Sequence, residues 1–569
     1  MTDVAEQNFQ LTETSLRPPE FVMKLDRLGS FFPTRLSFTR TLMRRIVRES
    51  WDIRRETFDL DKDGVGTAIY KIETPHFPLW FVVFANHLEP KDRTDRVIAE
   101  KWDATFTLTS EKPENEKLND LKQNIPLQEA GRCSSNELIL SRANKSVRLF
   151  DYVIDKLASG QQPDPKKLMA VGYLMRTTAV YGNGKFGLAD FDYAKQQGIF
   201  KLPFQAEMLC VYLARNFSFD WVEHIAKNKN RNSFKPLETH LKRALGIGNA
   251  TGLGMAPFLI DHPKLISNWI TVREEALARV TTLDRITDKK LSAFKELLSE
   301  TQNHIEEWPT TDKSQKLRLL QLKNELKNSS LIFQNFSKLK PWKTLTNWAH
   351  ENLSLETQEI LHSIIIELYP ELVDELEFKT GSDELMFVEP NMTLLSLKTI
   401  IETQYSWVRT IDLQGKKSNA RFWYRSEEKE EPRLGWRYEE PGSEKEMRLG
   451  IAQTVNDLDQ KLAQSKETLS KYTVGDFLIK HPQFREIIQR VQSLRNAPYA
   501  EIRENLLHKD CRPVNLLRCK LAMFGATKFD PKSDLWVRIA LFQGAPLVQE
   551  VAETDSVDGK LFPSLQNHL

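Results

Sequence analysis

The segment from Leu245 to Phe258 combines residue types that could hold a ligand. It contains four of the chain's 23 glycines and leads into an apolar run. Glycine lets the backbone approach a ligand closely, and the free N–H groups at the start of a helix favour an anion. We predict a glycine loop that opens a buried helix and binds a carboxylate, sulfonate or phosphate through Gly248, Asn249, Thr251 and Gly252.

The same segment does not match the common nucleotide-binding motifs. No Gly-Lys-Ser/Thr follows it, so it is not a P-loop. The third glycine of the dinucleotide fingerprint is missing, and a helix over 237–245, rather than a strand, is predicted before it. The cofactor is therefore unknown, and close packing between helices is an equally open explanation of these glycines.

A second segment rich in small residues runs from Tyr181 to Gly187. Arg176 precedes it and Lys185 lies within it. Arginine offers a planar fork for a carboxylate, and lysine offers a point charge. We predict that Arg176 and Lys185 bind the substrate together with the first segment. A loop with a solvated lysine is the alternative.

Four residues could transfer protons or act as a nucleophile. His262 ends the predicted glycine-loop helix, and His224 lies on another predicted helix. Imidazole titrates near neutral pH, so both are candidate acid/base groups, as is Tyr181. Cys133 follows Arg132 at a predicted helix start, where the pKa of a thiol falls.

No metal site is predicted. The sequence has no HxxxH, HExxH or HxH pattern. None of the four cysteines forms a CxxC pair, so there is no local zinc signature and no disulfide framework.

Two basic stretches offer a different function. A predicted helix carries Arg40, Arg44, Arg45 and Arg48 on one face, and a second stripe carries Arg142, Lys145 and Arg148. Either could contact nucleic acid, although basic helix faces are usually just solvated. The chain has 80 basic and 78 acidic residues and a net charge of +2, which argues against a nucleic-acid partner.

These residues need elements that position them. An alternating pattern predicts a strand over 67–72, and the run over 79–84, which is apolar throughout, predicts a central strand. From Asn136 to about Leu368 the pattern is mainly helical, with helices expected over 138–157 and 168–180. The predicted fold is mixed and mainly α, with N-terminal and C-terminal α+β modules flanking an all-helical central region.

At 569 residues the chain is too long for one core, which suggests several domains. We expect an α+β module at 18–125 and a helical core with the glycine-rich loops at 126–280. A charged helical hairpin and a further helix follow at 281–385, and a second α+β module at 386–569. Ser50-Trp51 and Asp59-Leu60 in the first module match Ser406-Trp407 and Asp412-Leu413 in the last, so the two could be a diverged repeat.

The N-terminus has no signal peptide pattern, and no run is long and apolar enough to span a membrane. We expect a soluble cytoplasmic protein without a membrane partner, and a homo-oligomer is an open alternative. The favoured function is an enzyme that acts on a small anionic metabolite, with lyase, transferase and hydrolase chemistry all open. The alternatives are a nucleic-acid-binding or regulatory protein and an interaction scaffold built on the hairpin.

Overall fold

The computed structural model of the chain describes residues 16–28, 34–92, 101–124, 136–177, 199–200, 202–252, 263–283, 286–308, 310, 313–334, 342–381, 387–410, 422–425, 432–435, 451–464, 469–504, 513–533 and 536–553. Within these ranges, no helix is both long enough and apolar enough to cross a membrane.

The structure is a mixed α/β fold built on a large sheet. The strands of the described chain are β1 (Asp52–Leu60), β2 (Gly66–Glu73), β3 (Leu79–Ala85), β4 (Ala104–Thr109), β5 (Glu137–Lys145), β6 (Tyr173–Thr177), β7 (Gly246–Gly252), β8 (Phe422–Arg425), β9 (Pro432–Gly435), β10 (Ala526–Ser533) and β11 (Trp536–Leu541). Nine of them form one sheet in the order β1-β2-β3-β4-β5-β6-β7-β11-β10, and β8 pairs with β9 separately. Within the nine-stranded sheet, β6 and β7 are parallel and the other neighbours are antiparallel.

The helices surround this sheet and continue beyond it. They are α1 (Pro19–Val22), α2 (Leu25–Leu28), α3 (Phe38–Arg48), α4 (Asn115–Asn124), α5 (Phe150–Ala158), α6 (Pro165–Val171), α7 (Gln205–Lys229), α8 (Thr239–Ala244), α9 (Pro263–Thr281), α10 (Asp288–Glu306), α11 (Lys313–Gln334), α12 (Trp342–Asn352), α13 (Leu355–Leu368), α14 (Glu371–Asp374), α15 (Leu394–Gln404), α16 (Ile451–Ala463), α17 (Val474–Lys480), α18 (Arg485–Ser493) and α19 (Pro513–Phe524).

The sheet has two unequal faces, because side chains alternate along each strand. The inner face carries Phe81 and Phe106 and belongs to the main core. It contacts α7, since Tyr70 on that face donates a hydrogen bond to Asp220 of α7. The outer face carries Val82, which packs in a smaller cluster with Leu121 of α4.

Helix α7 is the central element of the main core. Its side chains are buried on almost every side from Gln205 to Phe219, as in a helix enclosed by its domain. The guanidinium of Arg215 donates to the backbone oxygens of Leu245 at 2.7 Å and Ala545 at 3.1 Å. It thereby ties α7 to the start of β7 and to the chain that follows β11.

Helices α15 to α18 have a core of their own. Leu397, Leu458, Ile488 and Val491 are fully buried within it. The starts of α15 and α17 pair through a short bridge between Thr393 and Thr473.

The prediction of an all-helical centre is wrong, because the central region contributes three strands to the sheet. Residues 137–145, expected to start a helix, form β5. The helix expected over 168–180 ends at Val171, and Gly172 follows with a φ of 85°, the left-handed conformation typical of a helix C-cap. Residues 173–177 then form β6.

The basic helix face predicted on α3 is also wrong. Arg40 donates to Glu367 at 2.7 and 2.8 Å, and Arg44 pairs with Glu377. Arg45 donates to Gln205 at 2.5 Å. These three arginines are buried and hold α3 against its neighbours, so they do not form a solvated surface.

The predicted repeat between the N-terminal and C-terminal modules is not matched at one of its elements. Ser406 and Trp407 begin a 3-10 helix over 406–410, whereas Ser50 and Trp51 directly precede strand β1. Asp412 and Leu413 lie outside the described residues. The diverged repeat and the domain boundaries stay predictions.

Candidate functional site

The candidate site lies where the parallel strands β6 and β7 end. In the described chain this is the place where the two segments predicted to bind ligand meet, because Arg176 pairs directly with Gly248. The carboxyl ends of parallel strands are common positions for ligands in α/β sheets.

The predicted glycine-loop helix does not begin at Gly248. Residues 246–252 form β7, which pairs with β11 from Ile247 to Gly252 and with β6 at Gly246 and Gly248. Gly248, Asn249, Thr251 and Gly252 therefore lie in a strand and not at a helix N-terminus, the kind of anion site on which their assignment was based. Their role in substrate binding stays a prediction.

The glycines of β7 serve close packing. A Cβ atom at Gly248 would lie 2.7 Å from the ring of Tyr173, and one at Gly246 would lie 2.3 Å from the backbone oxygen of Leu541. Both distances are shorter than van der Waals contact. The two glycines therefore let a neighbouring ring and strand approach the backbone.

Register separates two of the predicted ligand residues. Arg176 shares the face of Gly248, whereas Asn249 lies on the opposite, inner face. The Asn249 amide donates to the backbone oxygen of Thr177 at 3.0 Å, and the residue is 1% exposed. Asn249 fastens β7 to β6 and does not share a binding surface with Arg176.

Two further arginines share the outer face with Arg176. Asn144 pairs with Arg176, so Arg142, two residues along β5, lies on the same face. On the other side, Ala250 of β7 pairs with Arg538 of β11. We call Arg142, Arg176 and Arg538 the arginine face.

The arginine face surrounds small residues. Arg142 and Arg538 lie on one row across the sheet, three strand spacings or about 14 Å apart, and Arg176 lies between them about 7 Å further back. Ala250 lies on the row between the outer two. Asp530 is the cross-strand neighbour of Arg538. All three arginines are half-buried.

Arg142 has a fixed position. Its guanidinium lies 4.8 Å from the centre of the Trp102 ring, a cation–π contact. Behind it, Asp103 and Asn144 hold β4 and β5 together, since the Asp103 amide donates to Asn144 Oδ1 at 3.0 Å. An arginine held on an aromatic ring is well suited to bind a planar anion.

The predicted stripe of Arg142, Lys145 and Arg148 does not exist as one surface. Arg142 and Lys145 are three residues apart on a strand and therefore lie on opposite faces. The Lys145 ammonium lies 4.2 Å from the Trp221 ring of α7, on the inner face.

His224 is not near the arginine face. Its Nε2 lies 2.7 Å from the backbone oxygen of Asp61, in the turn between β1 and β2, and 3.1 Å from the Asn228 amide. These contacts fasten α7 to the β1–β2 turn, which is a structural role. One turn earlier on α7, Asp220 accepts from Tyr70 at 2.7 Å, and burial raises the pKa of both groups.

The other predicted chemical groups lie outside the described residues. They are His262, Tyr181, Lys185 and Cys133. Their roles stay predictions. Among the residues that the structure does describe, no three His, Cys, Asp or Glu side chains are grouped to hold a metal ion.

A second cluster of charges is buried between α9 and α13. Arg17 donates twice to Glu274, at 2.5 and 2.7 Å, and lies 3.5 Å from Glu359. Burial raises the pKa of Glu359, whereas the hydrogen bonds from Arg17 lower that of Glu274 against the opposing effect of burial. Such a perturbed acid is a candidate for chemistry.

The cavity beside this cluster is too small for a metabolite. It is lined by Thr34, Arg273 and Glu359 among others, and it has room for about two water molecules. Thr34 Oγ1, Arg273 Nε and Glu359 Oε1 are buried without a hydrogen-bond partner in the described chain. Three polar atoms around a water-sized space indicate internal hydration, so we place the candidate functional site at the arginine face.

Sequence reasoning found Arg176 but missed Arg142 and Arg538 as its neighbours. Arg538 lies in the alternating segment 536–541, whose apolar residues Val537, Ile539 and Leu541 predict a strand. That alternation places Arg538 on the polar face. Nothing local shows that this strand pairs with β7, almost 300 residues earlier.

Comparison with known proteins adds no assignment. No protein-family model, curated protein or solved structure matches the chain.

Proposed function

We propose that this chain is a cytosolic enzyme that binds a small anionic metabolite, a carboxylate, sulfonate or phosphate, on the arginine face. The observation that carries the proposal is the register of β5, β6, β7 and β11. It places Arg142, Arg176 and Arg538 on one sheet face at the end of the parallel pair.

The chemistry of the face fits a small anion. The face carries three guanidiniums, and arginine binds carboxylates and phosphates through paired hydrogen bonds. Half-buried arginines interact with an anion more strongly than fully solvated ones, because less water competes.

The acid/base part of the proposal depends on His262 and Tyr181. Tyr181 follows β6 by four residues, and His262 follows β7 by ten, so both belong to the segments that continue from this end of the sheet. We propose them as proton donors or acceptors for the bound anion. His224 is withdrawn from this role because it contacts the β1–β2 turn.

Neither of the two basic surfaces predicted to bind nucleic acid forms in the structure. Three of the four α3 arginines are buried in contacts with other side chains, and the second stripe is split between two sheet faces.

The test is a thermal-shift screen of the full chain over carboxylates, sulfonates and phosphates, with titration calorimetry on each hit. Arg176→Gln and Arg538→Gln should each weaken binding by about tenfold or more, since a hydrogen bond to a charged group contributes about 1.5–3 kcal/mol. Arg54→Gln is the matched control, because Arg54 is 59% exposed on β1 and pairs with Glu73.

The control should leave affinity unchanged. A hit whose affinity is the same in Arg176→Gln, Arg538→Gln and wild type would remove the arginine face from the proposal. Incubation with a metabolite mixture then tests turnover, and His262→Gln and Tyr181→Phe should abolish turnover without preventing binding.

A further inference from the structure

Helix α11 has two apolar faces on opposite sides. The inner one packs into the main core through Leu319, Leu322, Leu326 and Phe333, each less than 5% exposed. Lys323 and Arg318 reach sideways, to Glu306 and Asn515 respectively. These contacts fix which side of the helix faces away from the protein.

The outer face of α11 exposes large apolar side chains. Leu317 is 71% exposed, Leu320 is 56% exposed and Leu331 is 57% exposed. The spacing along the helix alternates between three and four residues for Leu317, Leu320, Asn324, Lys327 and Leu331. This spacing is that of the contact positions in a coiled coil, where a single asparagine sets the register of the partner helix.

The exposed charged side chains that α11 itself contributes have one sign, and Lys323, at the edge of the face, pairs with Glu306 of α10. The exposed charged side chains of α11 in the described chain are Lys313, Lys316 and Lys327. The one acidic residue of α11, Glu325, is turned to the protein, where it accepts hydrogen bonds from Ser354. The outer face is therefore an apolar stripe with Lys327 at one of its contact positions and Lys316 beside it.

We propose that the outer face of α11 binds an acidic amphipathic helix of a partner protein. Glutamates beside the partner's apolar stripe would face the lysines, while its own apolar residues would cover the three leucines. A second copy of this chain fits less well, because α11 against α11 would bring lysines together. This surface is independent of the arginine face, which lies on the sheet.

The first experiment uses two designed 21-residue peptides. Both have leucines at the contact positions and one asparagine; one has glutamates at the flanking positions and the other has lysines. Fluorescence anisotropy with the full chain should show binding of the acidic peptide, weakened by salt, and none of the basic peptide.

The matched variants separate this face from other exposed apolar residues. Leu317→Ser with Leu331→Ser should weaken binding at least tenfold, and Lys316→Glu with Lys327→Glu should reverse the preference between the peptides. Ile479→Ser, at an 83% exposed position on α17, is the control and should have no effect. Circular dichroism confirms that the variants fold, as expected for exposed positions.

Equal binding of both peptides, or no binding of the acidic one, would overturn the proposal. So would a dimer in sedimentation velocity that Leu320→Ser dissociates, because the occupant would then be a second copy. In cells, a benzophenone amino acid at position 320 should crosslink to an acidic helical segment of another protein. A crosslink to this chain itself would contradict the proposal.

Discussion

His362 should make the protein less stable as the pH falls from 7 to 5. The residue lies on α13, and its Nε2 is buried without a hydrogen-bond partner in the described chain. Burial lowers the pKa of His362 from 6.5 to about 4, and the nearby Arg17 acts in the same direction. Glu274 opposes this shift, and His350 adds to it.

The direction of the change in stability with pH follows from proton binding in the folded and unfolded chains. Between pH 6.5 and pH 4 the unfolded chain binds a proton at this histidine and the folded chain does not, so acidification favours unfolding. With a pKa of 6.5 in the unfolded chain and about 4 in the folded one, the loss is about 0.2 kcal/mol at pH 7 and about 2 kcal/mol at pH 5.

Replacement of His362 by leucine should remove this pH dependence. At pH 7.5 the variant should unfold in urea within about 1 kcal/mol of wild type, because the change roughly conserves volume and removes a buried polar atom. Between pH 7.5 and pH 5, the difference in unfolding free energy between the variant and wild type should shift by about 2 kcal/mol in favour of the variant. Tryptophan fluorescence reports the transition, since Trp269 and Trp342 are fully buried.

The comparison between variants at each pH cancels the titration of all other groups. A difference between wild type and His362→Leu that stays constant from pH 7.5 to pH 5 would refute the reasoning, since it would mean that His362 protonates freely in the folded protein. His87→Leu, at a 67% exposed histidine side chain, is the control for the loss of a histidine as such.

Two further changes test the packing around β7. Gly248→Ala places a Cβ atom 2.7 Å from the Tyr173 ring, so it should destabilise the fold by about 1–3 kcal/mol, and Tyr173→Leu should restore part of that loss in a double-mutant cycle followed by urea unfolding. Additive effects of the two substitutions would contradict this contact. Arg215→Met removes the donors to the Leu245 and Ala545 carbonyls and should cost about 3 kcal/mol or more in the same assay, whereas Arg54→Met should change stability by less than about 0.5 kcal/mol. Equal midpoints for Arg215→Met and wild type would show that water replaces these hydrogen bonds.

Local patterns were sufficient where one segment carries its own signal. The alternation over 67–72 and the apolar run over 79–84 predicted β2 and β3, which the structure confirms. The Asp-Lys-Asp-Gly sequence at 61–64 is typical of a turn, and one forms there with Asp61 Oδ1 accepting from two backbone amides. The helices at 288–306 and 313–334 have clear helical periodicity and form as expected.

Segments with mixed patterns were read wrongly. Leu138, Ile139 and Leu140 form a short apolar run that fits a buried strand and a helix equally. Gly172 was the available sign that a helix ends before β6, since glycine in the left-handed conformation commonly follows a helix. At 246–252 the glycines suggested a loop, although in the fold they make room for Tyr173 and Leu541.

What the sequence alone determined is therefore the balance of charge, several strands and helices, and the candidacy of Arg176. Only the tertiary structure decided which residues surround it. Strand pairing joins β5, β6, β7 and β11 across almost 400 residues of chain, and a shift of one residue in register would move Arg142 or Arg538 to the other face. Other long-range contacts bury three of the four arginines of α3, whereas three leucines of α11 stay exposed, because burial depends on which element packs against each face.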